Sequence, residues 1–412
     1  ETIACKMVLK YLIISTLFYI ALGQNYNCSQ RSALLLLKRP VYDFSIKILD
    51  RVCQDNDAHF VFSPLSTWLQ LTALAEGAKG RTFRELWNVT KHHRNRCFKL
   101  NTRRLLRKYT KGLKDDYKRK SVIVIDKYMG VKKRFINDVL KYYAVKVLLK
   151  NFDYPVAAAK EVNNVIARAT NNVIDESIYE DDFKGASILL SDNVYFKSAW
   201  RDPFDVAFTM REAFRSNIGE HLGEVNMMSY TGYLNITDMR NINARVLEIP
   251  CVNNFSMFIM IPLRKTWIGD TFYNMRRTTL MSILNRFKLE GEKLVNVKLP
   301  RFRINSTVDS LPELLYDMGV KSVFDPDLGD LQHISDYTPI FASLMTQVVD
   351  IEVTERGVRA SASSMSQINE TVEIIDFFAD VPFAYMIVER KTQFILFAGT
   401  YSVPSKTNET LF

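Results

Sequence analysis

The pattern of apolar and polar positions begins as helix and ends as strand. After residue 30, positions 34–37 and then Val41, Phe44, Ile46 and Leu49 are apolar at helix-like spacing. Phe60-Val61-Phe62 reads as a short buried strand ended by Ser63-Pro64. Ser63 or Ser66 is placed to cap a helix over 67–76, which Gly77 closes. Alternation returns over 121–126, and a second long helical stretch covers 157–173. The apolar runs 188–196 and 246–261 predict sheet, and 297–304 alternates as one strand. The final runs, 385–388 and 394–401, read as a strand pair separated by Glu389-Arg390-Lys391-Thr392. Helices first and strands later predict an α+β fold and not a repeating βαβ one. With no Pro/Gly-rich linker and no repeat, the 412 residues read as one large domain.

One stretch fits neither period well. The strand-like segment 348–353 runs into Glu355-Arg356-Gly357-Val358-Arg359-Ala360-Ser361-Ala362-Ser363-Ser364, and the polar character continues to about Asp376. Small side chains lose little rotamer entropy when ordered and need little room when buried. Taken with period two, one face carries Val358, Ala360, Ala362, Ser364, Ser366 and Ile368, without a charge, while Arg359 falls on the other. The segment could enter a sheet as a central strand without burying an unpaired ion. The same composition also describes a flexible Ser/Ala linker.

Composition is that of an ordinary globular protein, 47% hydrophobic and 24% charged, with a net charge of +10. Met7 reads as the true start, with residues 1–6 as an extension. Met7-Val8-Leu9-Lys10 is followed by an apolar run to Gly23, and Ala21 and Gly23 supply the small residues of a cleavage site before Gln24. Residues 7–23 therefore predict a signal peptide, too short for a membrane span. The expected location is extracellular. That gives meaning to Asn-x-Ser/Thr at Asn27, Asn88, Asn235, Asn254, Asn305, Asn369 and Asn408. Asn27, Asn88, Asn235, Asn369 and Asn408 are the glycosylation candidates. The mature chain keeps Cys28, Cys53, Cys97 and Cys251, enough for one or two disulfides in an unspecified pairing.

Catalytic chemistry finds little support. Five histidines are present, and no His-Glu-x-x-His, nucleophile elbow, Walker loop or dinucleotide fingerprint occurs. His92-His93 with Cys97 is the nearest approach to a metal cluster, but it lacks a second Cys pair and sits among cations. No enzyme activity, metal or cofactor is expected.

Several motifs point elsewhere. Phe62-Ser63-Pro64-Leu65-Ser66 is followed by Gly77-Ala78-Lys79-Gly80-Arg81-Thr82. Then come Val194-Tyr195-Phe196-Lys197-Ser198-Ala199-Trp200 with Pro203-Phe204, Val225-x-Met227-Met228, Leu247-Glu248-Ile249-Pro250 and Leu299-Pro300-Arg301-Phe302. The series ends in Asp380-Val381-Pro382-Phe383 and Ile395-Leu396-Phe397-Ala398-Gly399. In this order they resemble a serpin, and the resemblance covers residues 30–404, with 405–412 as a short tail. It implies the serpin fold: N-terminal helices on a large mixed sheet, further sheets, and an exposed reactive loop, here about 355–378. Glu355 to Ser364 would be the hinge of that loop. The implied activity is suicide inhibition. A serine protease cleaves the loop, the cut loop inserts into the main sheet, and the acyl-enzyme is trapped. In the family the reactive residue lies about fourteen residues after the hinge Gly, which from Gly357 gives the bond Thr371-Val372.

The resemblance also implies a buried shutter at Ser63, Ser66, Asp192 and Gln347, and a breach at Phe196 and Trp200. The family commonly pairs Asn with His where this chain has Asp192 and Gln347; the Gln amide can donate to the Asp carboxylate, so the two changes are mutually compensating. Val358 and Arg359 replace the usual Thr and Glu after the hinge Gly, and the Asn369 sequon lies across the expected scissile bond. Finally, 91–120 holds thirteen Lys/Arg against Asp115 and Asp116. Arg103, Arg104, Arg107, Lys108 and Lys111 share one helical face, a candidate surface for sulfated polysaccharide. The expected partners are thus a serine protease and such a polyanion, with no nucleic acid, no membrane span, and a monomeric state. The other expectation is a non-inhibitory serpin that serves as an extracellular binding or carrier protein.

Overall fold

The computed structural model describes residues 28–404 except 92, 94, 113–116, 197, 265 and 356–372. The N-terminal helix α1 (Gln30–Asp55) starts where Ser29 and Ser32 exchange side-chain-to-backbone hydrogen bonds of 3.0 and 3.1 Å. Its buried stripe includes Leu37, Val41, Phe44, Ile48, Leu49 and Val52, the helical spacing expected from the sequence. Helix α2 (Pro64–Ala75) is buried at all twelve positions. It begins earlier than the apolar pattern suggested because Pro64, with its fixed φ, suits a first helical position. The Ser63 hydroxyl does not cap it and donates instead to the Leu396 carbonyl at 2.6 Å. The remaining helices are α3 (Gly80–Thr90), α4 (Arg96–Gly112), α5 (Lys133–Tyr143), α6 (Pro155–Ala169), α7 (Asp270–Met275), α8 (Leu280–Glu290) and α9 (Leu311–Asp317). None is long and apolar enough to cross a membrane.

The strands in chain order begin with β1 (Phe60–Phe62), β2 (Tyr117–Asp126), β3 (Val145–Lys150), β4 (Ile188–Phe196) and β5 (Met210–Arg215). There follow β6 (His221–Met239), β7 (Ala244–Pro250), β8 (Phe255–Pro262), β9 (Glu292–Pro300) and β10 (Phe302–Val308). The last are β11 (Ala342–Val353), β12 (Ile375–Phe378), β13 (Phe383–Glu389) and β14 (Phe394–Tyr401). They form two sheets. A five-stranded sheet has the order β10-β11-β4-β2-β3, and a nine-stranded sheet runs β1-β14-β13-β8-β7-β6-β9-β12 with β5 on β6. The fold is α+β, as expected.

Two details of the pattern needed the structure. The run 297–304 is not one strand: β9 belongs to the nine-stranded sheet and β10 to the five-stranded one, and Arg301 alone joins them. The buried set slips phase there, from Val297 and Leu299 to Phe302 and Ile304, because the chain changes sheets. The run 246–261 is likewise two strands, turned by Asn253 and Asn254 at φ 58° and 65°. The expected loop over 355–378 also ends sooner, since residues 375–378 pair with β9 as a strand.

Around the five-stranded sheet the core has two faces. Val122, Val124, Leu189 and Val348 pack with Val162 and Ile166 of α6. Ile123, Ile125, Leu190 and Val349 share the main core with α2 and the nine-stranded sheet. Gly399 lies at the closest approach within that core, where β14 is paired with both β1 and β13. A Cβ there would sit 2.0 Å from the Phe60 carbonyl oxygen and 2.8 Å from the Tyr385 hydroxyl. Gly399→Ala should therefore cost about 3 kcal/mol, seen as a lowered Tm. An unchanged Tm would show that β1 can move away from β14.

Candidate functional site

At the centre of the five-stranded sheet, β11 and β4 run parallel, in unbroken register from Leu344↔Leu189 to Ile351↔Phe196. Both outer neighbours are antiparallel to them, β10 to β11 and β2 to β4. This seam pairs the four shutter residues in space. Gln347 lies directly opposite Asp192, and Ser63 and Ser66 stand at the start of α2 beneath them.

The Ser63 amide N–H can only donate, and it does so to Gln347 Oε1 at 2.7 Å, which fixes the orientation of the Gln amide. Gln347 Nε2 then faces three acceptors, the Ser63 carbonyl at 3.1 Å, Thr67 Oγ1 at 3.0 Å and Asp192 Oδ2 at 3.3 Å. The expected Asp192–Gln347 contact is present, but the countercharge for Asp192 comes from elsewhere. Arg119 of β2, 6% exposed, places Nε 3.2 Å from Oδ1 of Asp192, itself 1% exposed. The single Nε hydrogen goes to Ser66 Oγ, so Oδ1 receives an ion-pair contact without a hydrogen bond of its own. Arg119 Nη1 donates to the Tyr143 carbonyl at 2.9 Å and Nη2 to the Ser66 carbonyl at 3.3 Å. Gln70 Oε1, Ser121 Oγ and Asn193 Oδ1, close by, are buried without a protein partner.

The network continues to the basic helix. The Tyr143 hydroxyl donates to Glu76 Oε1 at 2.7 Å, and burial pushes that phenol well above its usual range. Arg103 of α4 grips the same carboxylate with two bonds of 3.1 and 2.5 Å, and Lys99 adds an ion pair at 3.0 Å. Burial alone would raise Glu76, but the Arg103 hydrogen bonds, the two cations and the Tyr143 hydroxyl outweigh it and hold the carboxyl at about 2. Arg103 therefore departs from the expected cationic stripe. Arg104, Arg107, Lys108 and Lys111 are exposed, with no ion pair among the described residues.

At the upper end of the seam, the chain leaving β11 is held at its base. Trp200 Nε1 donates to the Thr354 carbonyl at 2.8 Å, and the Phe204 amide to the Glu355 carbonyl at 3.1 Å. Thr209 Oγ1 donates to the buried Glu355 carboxylate at 2.9 Å, with Arg301 Nη1 3.9 Å away. Phe196 closes the register opposite Ile351 and packs on Phe255 and Phe397 of the other sheet. The rest of the expected hinge, from Gly357 to Ser364, and the bond Thr371-Val372 lie outside the described residues, as do Asn27, Asn369, Asn408 and residues 7–23.

Residues 40–404 match a family described as Serpin (serine protease inhibitor). The chain belongs to the serpin family. Among curated relatives, this serpin is 26% identical to Serpin A12 of Homo sapiens over 395 residues, 92% of this chain and 91% of that protein. It is also 26% identical to the Protein Z-dependent protease inhibitor of Homo sapiens over 379 residues, 90% and 83% of the two chains. Native protease nexin-1 with heparin shares the fold at TM-score 0.78 and 22% identity, over 90% of this chain and 100% of that one. Maspin does so at TM-score 0.80 and 21% identity, with the same coverage. Serpins are generally protease inhibitors and not catalysts.

The remaining candidates sort by geometry. Asn88 is exposed on α3. Asn235, half-buried on β6, donates its amide to buried Glu248 at 2.9 Å. Cys97, the thiol of the His-Cys cluster, is bonded to Cys28, while Cys53 and Cys251 are buried and take part in no disulfide among the described residues. Sequence reasoning missed Arg119, Thr67 and Glu76. Extending the 121–126 alternation back by two residues would have put Arg119 on the buried face with Ser121, Ile123 and Ile125. Removing the countercharge alone, with Arg119→Met, should cost about 3–5 kcal/mol in denaturant unfolding. The double variant Arg119→Met/Asp192→Asn should regain most of it. A single-variant loss under about 1 kcal/mol would mean that Asp192 does not depend on Arg119.

Proposed function

We propose that this serpin is a secreted inhibitor of serine proteases acting as a suicide substrate, cleaved near Thr371-Val372. The observation that carries the reading is the parallel seam between β4 and β11. A strand entering there from the top of β11 runs antiparallel to both neighbours, replacing one parallel ladder with two antiparallel ones. Before cleavage the segment is tethered at both ends, at Val353 in one sheet and at Ile375 in the other. Cutting removes the second tether. The fourteen residues after Gly357, ending at Thr371, can then match the twelve of β11. At about 1 kcal/mol net for each added hydrogen bond, insertion is favourable by on the order of 10 kcal/mol. The unpartnered Gln70, Ser121 and Asn193 atoms beside the seam support a five-stranded state that is not fully satisfied.

Secretion is supported by the Cys28–Cys97 disulfide, which belongs to an oxidising compartment. The exposed cations Arg104, Arg107, Lys108 and Lys111 support binding of sulfated polysaccharide, with Arg103 excluded from that surface by Glu76. The heparin held by native protease nexin-1, a protein of the same fold, agrees with that choice of polyanion. The side-chain ties across the seam, from Gln347 to Asp192 and Ser63, favour a second reading. If they hold the sheet shut, the protein is a non-inhibitory serpin acting as an extracellular binding or carrier protein.

Incubation with serine proteases that accept a small apolar residue should yield an SDS-stable complex. Loop cleavage should then raise Tm by about 10–15 °C. Cleavage without complex or Tm gain would favour the second reading. On immobilised heparin, Arg107→Ala/Lys108→Ala should elute at clearly lower salt than the parent, whereas Arg103→Ala should mainly lower Tm. Equal elution of parent and double variant would remove α4 as the binding surface.

A further inference from the structure

A cleft of about 880 Å³ lies between α8 and the adjoining ends of β6, β7, β9 and β12. Five cations line it, Arg240, Arg245, Arg277, Arg286 and Lys293, against two acids, Asp238 and Glu290. The acids are already taken. Arg245 forks onto Asp238 with bonds of 2.7 and 3.1 Å, and Glu290 receives Lys293 at 2.7 Å and Arg286 at 3.3 Å. Arg240 and Arg277 have no ion pair among the described residues, and Asn241 Nδ2 reaches the Arg277 carbonyl, so the two arginines flank one end of the cleft. Thr278 lines that end too, 6% exposed, with its buried hydroxyl lacking a protein partner.

The opposite end is different in kind. Leu289 of α8 is 81% exposed and, with half-buried Ile375, gives the cleft an apolar side over Ile236, which is itself buried in the core. The run of α8 between the two ends covers about 15 Å at 1.5 Å per residue. Arg240 and Arg277, without an ion pair among the described residues, at one end and the uncovered Leu289 side chain at the other suit a ligand with a charged head and an apolar body. We infer that this cleft is a binding site for a small amphipathic anion, an aliphatic or flat apolar body bearing one carboxylate, sulfate or phosphate. The head pairs with Arg240 and Arg277, where charge-assisted bonds are the strongest available. The body covers Leu289 and rests on Ile375, in the strand to which the chain returns after residues 356–372.

Titration calorimetry on the full chain with decanoate, decyl sulfate and decyl phosphate tests this, and the three identify the preferred head. Decanol and inorganic sulfate are the single-feature controls. At least one decyl anion should bind saturably at one site, with both controls weaker by about tenfold or more. Arg240→Gln/Arg277→Gln should weaken that anion by about tenfold to a hundredfold. Leu289→Ser, at a position too exposed to matter for folding, should weaken it by about tenfold while leaving Tm unchanged. Decanol binding as tightly as the anions would overturn the proposal. So would parental affinity in both variants, or no saturable binding of any decyl anion.

Discussion

A carboxylate with almost no access to water sits at the middle of the principal sheet, and the surrounding residues are arranged around it. Asp192 is countered by Arg119 and hydrogen-bonded by Gln347, and those two residues in turn anchor Ser63, Ser66, Thr67 and Tyr143. A buried ion of this kind brings little net stability over an apolar replacement, but removing one partner is costly. What the cluster provides is position. It ties β2, β4 and β11 to the first two turns of α2, and through Tyr143 and Glu76 it reaches the basic helix α4.

The sequence displayed the large features because they rest on periodicity. The helical spacing of Leu37, Val41, Phe44 and Leu49, and the strand pair at the C-terminus, follow from which face meets the core. The motifs from Phe62 to Gly399 carried the family. What stayed hidden is long-range pairing of charges. Arg103 and Arg119 are two of thirteen cations in 91–120; only the phase of the 121–126 alternation, carried back two residues, sets Arg119 apart, and nothing local sets Arg103 apart. One is turned inward by Glu76, 27 residues away, the other by Asp192, 73 residues away in sequence but one strand across in the sheet. The contact of Asn235 with Glu248 was hidden for a similar reason, since only the pairing of β6 with β7 brings them together.

Membership of the serpin family and the geometry of the seam are separate supports for the same reading. The first rests on matched residues across most of the chain, the second on strand direction. A parallel pair flanked by antiparallel neighbours leaves a place for a strand of one direction only, the direction of a chain folding back from the end of β11. Insertion would bring small side chains onto the level of a charged cluster, so the residues after Gly357 and the Arg119–Asp192 pair have to be considered together.

The crossing at Arg301 has a mechanical consequence. Since β9 passes into β10 through that one residue, the five-stranded sheet consists of two leaves hung from different parts of the body. One leaf is β10 with β11, the other β4 with β2 and β3. Helix α2 lies under the joint and fastens to both, through Ser63 and Thr67 to Gln347 on the first leaf, and through Ser66 and Gln70 to Arg119, Val122 and Ser191 on the second. Parting the leaves would require α2 to give up its hydrogen bonds to one of them.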